Sequence, residues 1–203
     1  MTSIPPAATP QIQKNCEIPF IQHNWQFVHA IQTTMMGGSN GMMIGVTDIS
    51  PERRRIHCVM MTIEGLVMLD AMESDGNVVI NRGIPPFDSM NFVRGLMDDI
   101  RLMFFIPARI PDRIGTLKDG EPVCRYPAGP DRTVDVIIRS DIGWSLRLYH
   151  EQRLVRTVNA RAPSAGGSPW PDPIPDHIEL IAHDGLQYHL NLTLLEAIPL
   201  QDE

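Results

Sequence analysis

Residues 42–72 read MMIGVTDISPERRRIHCVMMTIEGLVMLDAM, and this stretch decides the fold. Met42 to Asp48 and Arg55 to Ile63 are extended runs separated by the turn Ser50-Pro51-Glu52, and Glu64-Gly65 separates the second run from Leu66 to Met72. Short turns between extended runs connect antiparallel strands. Successive strand residues point to opposite faces, so the doublets Met42-Met43 and Met60-Met61 each put one thioether on either side of a sheet. Both faces must then be covered. Methionine is flexible and polarizable, which suits it to fill irregular gaps or to line a surface that adapts to partners of variable shape. All 12 methionines except Met1 fall between Met35 and Met103. The region is therefore either a Met-rich core or a pocket for a flexible apolar ligand.

The same punctuation continues outward. His23 to Met36 precedes Gly37-Gly38-Ser39-Asn40-Gly41, and Ser74-Asp75-Gly76 leads into Asn77 to Asn81. Beyond Pro111, further runs begin at Ile114, Val123, Thr133, Trp144, Leu154, Ile178 and Tyr188, with turn residues such as Lys118-Asp119-Gly120 and His183-Asp184-Gly185 between neighbours. Pro85-Pro86 interrupts the meander, and Val93, Leu96, Met97, Ile100, Met103 and Phe104 then recur at helical spacing. This predicts one amphipathic helix from Asp88, its cap, to Phe105, with Asp98 and Asp99 on the wet face and an Asp98–Arg101 pair. Residues 1–22, rich in Pro, Ala, Thr and Gln, read as a flexible arm, and residues 23–203 as a single domain. Residues 162–175 read as a surface loop carrying Trp170, whose ring suits a membrane interface or a partner's groove. The fold class is mainly β: a half-open antiparallel barrel or strongly curved sheet, with one principal helix plugging its concave face.

Composition narrows the function. A net charge of -7 argues against a nucleic-acid partner. No stretch is apolar enough to span a bilayer, and the N-terminus lacks the pattern of a secretory signal, so the chain taken alone reads as cytoplasmic. Cys16, Cys58 and Cys124 have no metal-ligand spacing and leave a Cys58–Cys124 bridge open. There is no nucleophile elbow, HExxH, P-loop or dinucleotide fingerprint, and the scattered histidines, His150, His177, His183 and His189, form no metal motif. The expectation is a protein without catalytic residues, metal or cofactor.

The runs GMMIGVTDISPERRRIHCVMMTIEGLVMLDA, IPPFDSMNFVRGLMDDIRLMFFIP and GTLKDGEPVCRY resemble the LolA/LolB-like bacterial outer-membrane lipoprotein carriers, in particular the LolB-like lipoproteins. The resemblance covers the order of elements from about Trp25 to Leu195. It implies an apolar cavity for acyl chains, no enzymatic activity, and a periplasmic or outer-membrane location. The residues before Cys16 are not a lipobox, which departs from the lipidated members. Joined to the residue pattern, it gives a carrier or chaperone for the lipid or acyl chain of a lipoprotein. Met43, Met61, Met68, Leu96, Met97, Ile100 and Phe104 would line the cavity, and Trp170 would contact membrane or partner. The alternative is an interaction subunit whose apolar face is covered by a protein partner.

Overall fold

The computed structural model describes residues 2–3, 9–35, 37–139, 143–161, 172, 174–185 and 187–201. The N-terminal part holds β1 (Thr2–Ser3) and α1 (Thr9–Asn15). A five-stranded meander follows: β2 (Trp25–Met35), β3 (Asn40–Ser50), β4 (Arg55–Met61), β5 (Val67–Ser74) and β6 (Asn77–Gly83). The principal helix, α2 (Met90–Phe104), leads to β7 (Arg113–Thr116), β8 (Pro122–Pro127), β9 (Arg132–Arg139), β10 (Gly143–His150), β11 (Arg153–Arg161), β12 (His177–Ala182) and β13 (Tyr188–Pro199). All described strands join one antiparallel sheet in the order β1-β7-β8-β9-β10-β11-β12-β13-β2-β3-β4-β5-β6. The sheet is curved and unclosed, with β6 and β1 at its edges. The pairing of β13 with β2 joins the two halves of the chain, over a register from Tyr188–Met35 to Pro199–Trp25.

Turn chemistry sets the register. At the β5–β6 hairpin Asp75 and Gly76 both have positive φ, the conformation that a two-residue turn between twisted strands requires. Gly83 is needed for a different reason: a Cβ there would stand 2.8 Å from the Cα of Asp88, so its absence lets the β6–α2 connection fold back on the strand end.

Alternation then assigns the two faces. Inward residues such as Phe27, Ile49, Ile56, Cys58, Leu69 and Leu146 form one core with α2. The outward face is laced by polar side chains that bond across strands. Gln26 donates to Asp48 (2.8 Å), Asp48 faces His57 Nδ1 (3.4 Å), His57 Nε2 faces Asp70 (3.0 Å), and Asn81 donates to Asp70 (2.9 Å). Cross-strand pairs of this kind stabilise a sheet modestly and leave its apolar alternation unambiguous.

The N-terminal segment departs from the expected arm. Ile12, Cys16 and Phe20 recur every four residues, and Cys16 and Phe20 are buried with Ile21. Cys16 is bonded to Cys124 of β8 across 108 residues, so Cys124 pairs with Cys16 and not with Cys58, which is a free, buried thiol. The Ile21 N–H donates to the Phe104 carbonyl (3.3 Å), satisfying an orphan acceptor at the end of α2. The next residues are tied down by Asp172, a buried carboxylate that accepts from the Gln22 and His23 backbone N–H groups and from Trp25 Nε1 (2.7 Å). Burial alone would raise its pKa, but these donors hold it below the usual carboxylate value.

Candidate functional site: the concave face and its helix

The principal helix lies over the concave face, and its sequence explains how. Ser89, one residue later than expected, is the N-cap and accepts from the Phe92 N–H (3.2 Å). Asp88 is the residue that Gly83 lets approach and does not cap. The buried stripe consists of Val93, Met97, Ile100, Met103 and Phe104. Phe104 stacks on Phe27 of β2, with centroids 5.2 Å apart and planes at 20°, which anchors the C-terminal end of the helix to the middle of the sheet.

Most of the residues expected to line a cavity meet here. Met43, Met68, Met97, Ile100 and Phe104 are buried in the common core, and Leu96 packs against its margin. Met61 does not belong to the set. The alternation Ile56, Cys58, Met60 turns Met60 inward at 5% exposure and leaves Met61 half-buried on the outer face opposite Ile44. A methionine doublet satisfies either register, and only the partner strand decides. Trp170 lies outside the described residues.

Two ion pairs that bind the helix to opposite halves of the sheet were not anticipated. Asp99, expected on the wet face, is 5% exposed. It accepts from Arg156 Nε of β11 (2.9 Å) and from the Tyr188 hydroxyl of β13, and Arg156 also reaches Asp184 and the Val155 carbonyl. The Arg156 guanidinium lies 5.5 Å from the Tyr188 ring centre. Burial pushes the Asp99 pKa up, while Arg156 and Tyr188 oppose that rise. Burial is the largest single influence on Arg156 and disfavours its charge, but Asp99, Tyr188 and Asp184 together outweigh it and hold the guanidinium above its ordinary value. On the other flank Arg101 bonds both Glu73 of β5, itself 3% exposed, and Asp98 (2.7 Å), the pair read from the sequence. Glu73 and Arg156 of the sheet thus each meet an opposite charge on the helix.

Two further polar groups face the interior. His29 of β2 is 4% exposed beneath Phe104, and burial lowers its pKa to about 4. The buried Tyr126 hydroxyl has no hydrogen-bond partner among the described residues.

Alternating strand directions bring the β2–β3 and β4–β5 tips and the start of α2 to one end of the sheet. There Met35, Met42, Ile63, Leu66, Met90 and Phe92 are exposed, Ile63 to 64%. A second apolar set, including Ile18, Ile106, Ile198 and Leu200, is exposed toward the other end. A charged cleft of about 510 Å³, lined by Arg54, Glu73, Asp75, Arg94, Asp98 and Arg101, lies beside the polar flank of α2. Among the described residues no three His, Cys, Asp or Glu side chains converge as a metal-holding group, and no helix is long and apolar enough to cross a membrane.

No protein-family model and no curated protein matches the chain. Solved structures do. A LolA superfamily protein from Nitrosomonas europaea superposes with a TM-score of 0.61 at 12% identity, covering 97% of this chain and 94% of that one. A putative outer membrane lipoprotein-sorting protein domain from Vibrio parahaemolyticus gives 0.52 at 9% identity over 93% and 91% of the two chains. A DUF1329 family protein from Desulfovibrio piger gives 0.51 at 10% identity over 97% and 94%. Superposition along nearly the whole length of these proteins gives this chain, with its antiparallel, unclosed sheet and one principal helix, a LolA/LolB-like fold.

Proposed function

We propose that the protein is a non-enzymatic carrier or chaperone for an acylated ligand, the lipid part of a lipoprotein, held between the concave face and α2. The observation that carries this reading is the combination of an apolar contact surface with polar fastenings at its flanks. The helix packs Val93, Met97, Ile100 and Phe104 against a methionine-bearing face, yet its position is fixed by Asp99–Arg156 and Arg101–Glu73. Ion pairs have a good alternative partner in water once exposed, so such a helix can be released without unfolding the sheet. The apolar surface it uncovers then binds an acyl chain, at about 25 cal/mol per Å² removed from water. Methionine's adaptability suits chains of differing shape.

The exposed residues at the β2–β3 and β4–β5 tips support an apolar port, or a peripheral membrane contact, beside the start of the helix. The Cys16–Cys124 disulfide supports an oxidising compartment such as the periplasm, as does the likeness in fold to the putative outer membrane lipoprotein-sorting domain from Vibrio parahaemolyticus.

The test is uptake of an environment-sensitive fluorescent acyl probe, together with native mass spectrometry of the purified protein. The reading expects saturable uptake or co-purifying lipid. It also expects Ile100→Asp to remain folded, its carboxylate carried to water by the displaced helix, while losing uptake. Wild-type protein that takes up no apolar probe refutes the carrier reading.

A further inference from the structure

The concave face carries a buried imidazole with no hydrogen-bond partner among the described residues. His29 is 4% exposed, with its ring centre 5.9 Å from that of Phe27 and 6.4 Å from that of Phe104. Its cross-strand neighbours are Gly45, which has no side chain, and Leu194. The space above Gly45 is filled by Ile31, the next inward residue of β2. Among the described residues no donor or acceptor pairs with either ring nitrogen. A neutral imidazole has one N–H donor and one acceptor nitrogen; neither has a protein partner among the described residues, and the ring nitrogens, unlike the Tyr126 hydroxyl, are not wholly enclosed, so an incoming polar group can reach them. Buried polar groups are nearly always paired in native proteins, so an unpaired one calls for a partner that arrives later.

Resting on the carrier reading above, we propose that His29 is the polar recognition point of the concave face, its ring N–H donating to the carbonyl oxygen of an ester or amide at the head of a bound acyl chain. The surroundings select this chemistry. An uncharged carbonyl directly attached to a long apolar chain satisfies the ring while the chain lies along Phe27, Ile31 and Phe104. A carboxylate would need a cation, and burial holds this imidazole neutral at physiological pH. A plain hydrocarbon would leave the ring unsatisfied. The same carbonyl is offered by glycerol-linked esters and by N-acyl amides.

The experiment is displacement of the fluorescent acyl probe by methyl tetradecanoate, N-methyltetradecanamide and pentadecane, in wild type, His29→Phe and His29→Gln. Ligand solvation cancels when each ligand is compared across variants. The expected result is that His29→Phe weakens the ester, the amide or both about tenfold, the effect of one buried hydrogen bond, with pentadecane unchanged. His29→Gln, which keeps a donor, retains part of the preference. Loss confined to the ester points to glycerol-linked chains, and loss confined to the amide to N-acylated ones. A second readout needs no substitution: the imidazole ¹⁵N resonances of His29 in wild type shift with the carbonyl ligands and not with pentadecane. If all three ligands displace the probe and His29→Phe loses none of them, the assignment to His29 falls and the carrier reading stands. If none displaces it from wild type, both fall.

Discussion

Replacing Arg156 by Met tests whether α2 is fastened by charge. Met keeps most of the aliphatic bulk of the arginine and removes its guanidinium from Asp99, a carboxylate whose side chain is 8% exposed against 17% for that of Arg156. Breaking one partner out of a buried pair costs about 3–5 kcal/mol, because the remaining charge stays desolvated. The Tyr188 hydroxyl still donates to Asp99, which puts the expected loss near the lower end, at about 3 kcal/mol. The accompanying loss of Asp184, whose side chain is 53% exposed, adds about 0–1 kcal/mol.

What distinguishes a fastening from an ordinary core contact is where that energy appears. If α2 leaves the sheet to hydrate Asp99, amide hydrogen exchange accelerates in Met90–Phe104 by about a hundredfold, since each 1.4 kcal/mol is a factor of ten, while the strands of β2 and β3 keep their protection. Acyl-probe uptake should rise in parallel. Adding Asp99→Asn to Arg156→Met removes the stranded charge and should recover about 2 kcal/mol, read as a coupling energy from chemical denaturation of the four proteins. Uniform acceleration of exchange throughout the molecule, or a double variant whose loss equals the sum of the single ones, would refute the reasoning.

Other expectations follow from the same packing. Cys16→Ser with Cys124→Ser, or reduction of the native protein, should lower the denaturation free energy by about 2–5 kcal/mol through the long loop released, whereas Cys58, its thiol pushed up to about 12 mainly by burial, should resist alkylation until the protein unfolds. Met60→Ala should cost about 2–5 kcal/mol and Met61→Ala under about 1 kcal/mol; equal costs would overturn the face assignment. The pH dependence has a definite sign at His29. Its folded pKa, about 4, lies below the ordinary 6.5, so the unfolded chain binds the proton first. Its contribution is present in full above pH 6.5 and is lost as pH falls toward 4, by about 3 kcal/mol in all. His29→Phe should therefore flatten the stability profile in that window relative to wild type, and an unchanged slope would contradict the burial of a neutral ring.

The strands were legible because their ends are written in turn residues. Ser74-Asp75-Gly76 and Glu64-Gly65 stand where hairpins close, and the helical period between Val93 and Phe104 is sustained along most of α2. What escaped the sequence depends on partners distant along it. Asp99 sits where the helical period alone assigns water, and nothing local announces that Arg156, 57 residues later, comes down on it from β11. Met60 and Met61 are both acceptable inward residues until the pairing with Gly45 and Leu69 chooses. The N-terminal segment carries its own signal in the four-residue spacing of Ile12, Cys16 and Phe20, but the prolines before it and its short length hide a helix that is held by a disulfide and by burial rather than by propensity.

The charges under α2 also bear on why the interface is not wholly apolar. Replacing a buried ion pair by well-fitting apolar side chains is commonly neutral or stabilising, so Asp99–Arg156 and Arg101–Glu73 are a poor choice if the only requirement is to hold the helix down. They become a good choice when the helix must take one position and also leave it. An apolar flank would slide over a methionine-bearing face with little penalty for misregister, whereas Asp99 between Arg156 and Tyr188 accepts one placement, and Arg101 against Glu73 fixes the other side. On release, each of these groups gains water as a partner, while Met97, Ile100 and Phe104 lose their apolar contacts and remain exposed until something apolar replaces the helix. The cost of opening is then borne mainly by the surface that an acyl chain would cover. An interface with polar flanks and an apolar centre is therefore closed when empty and open when an apolar ligand competes for its centre, which an all-apolar seam of the same area would not achieve.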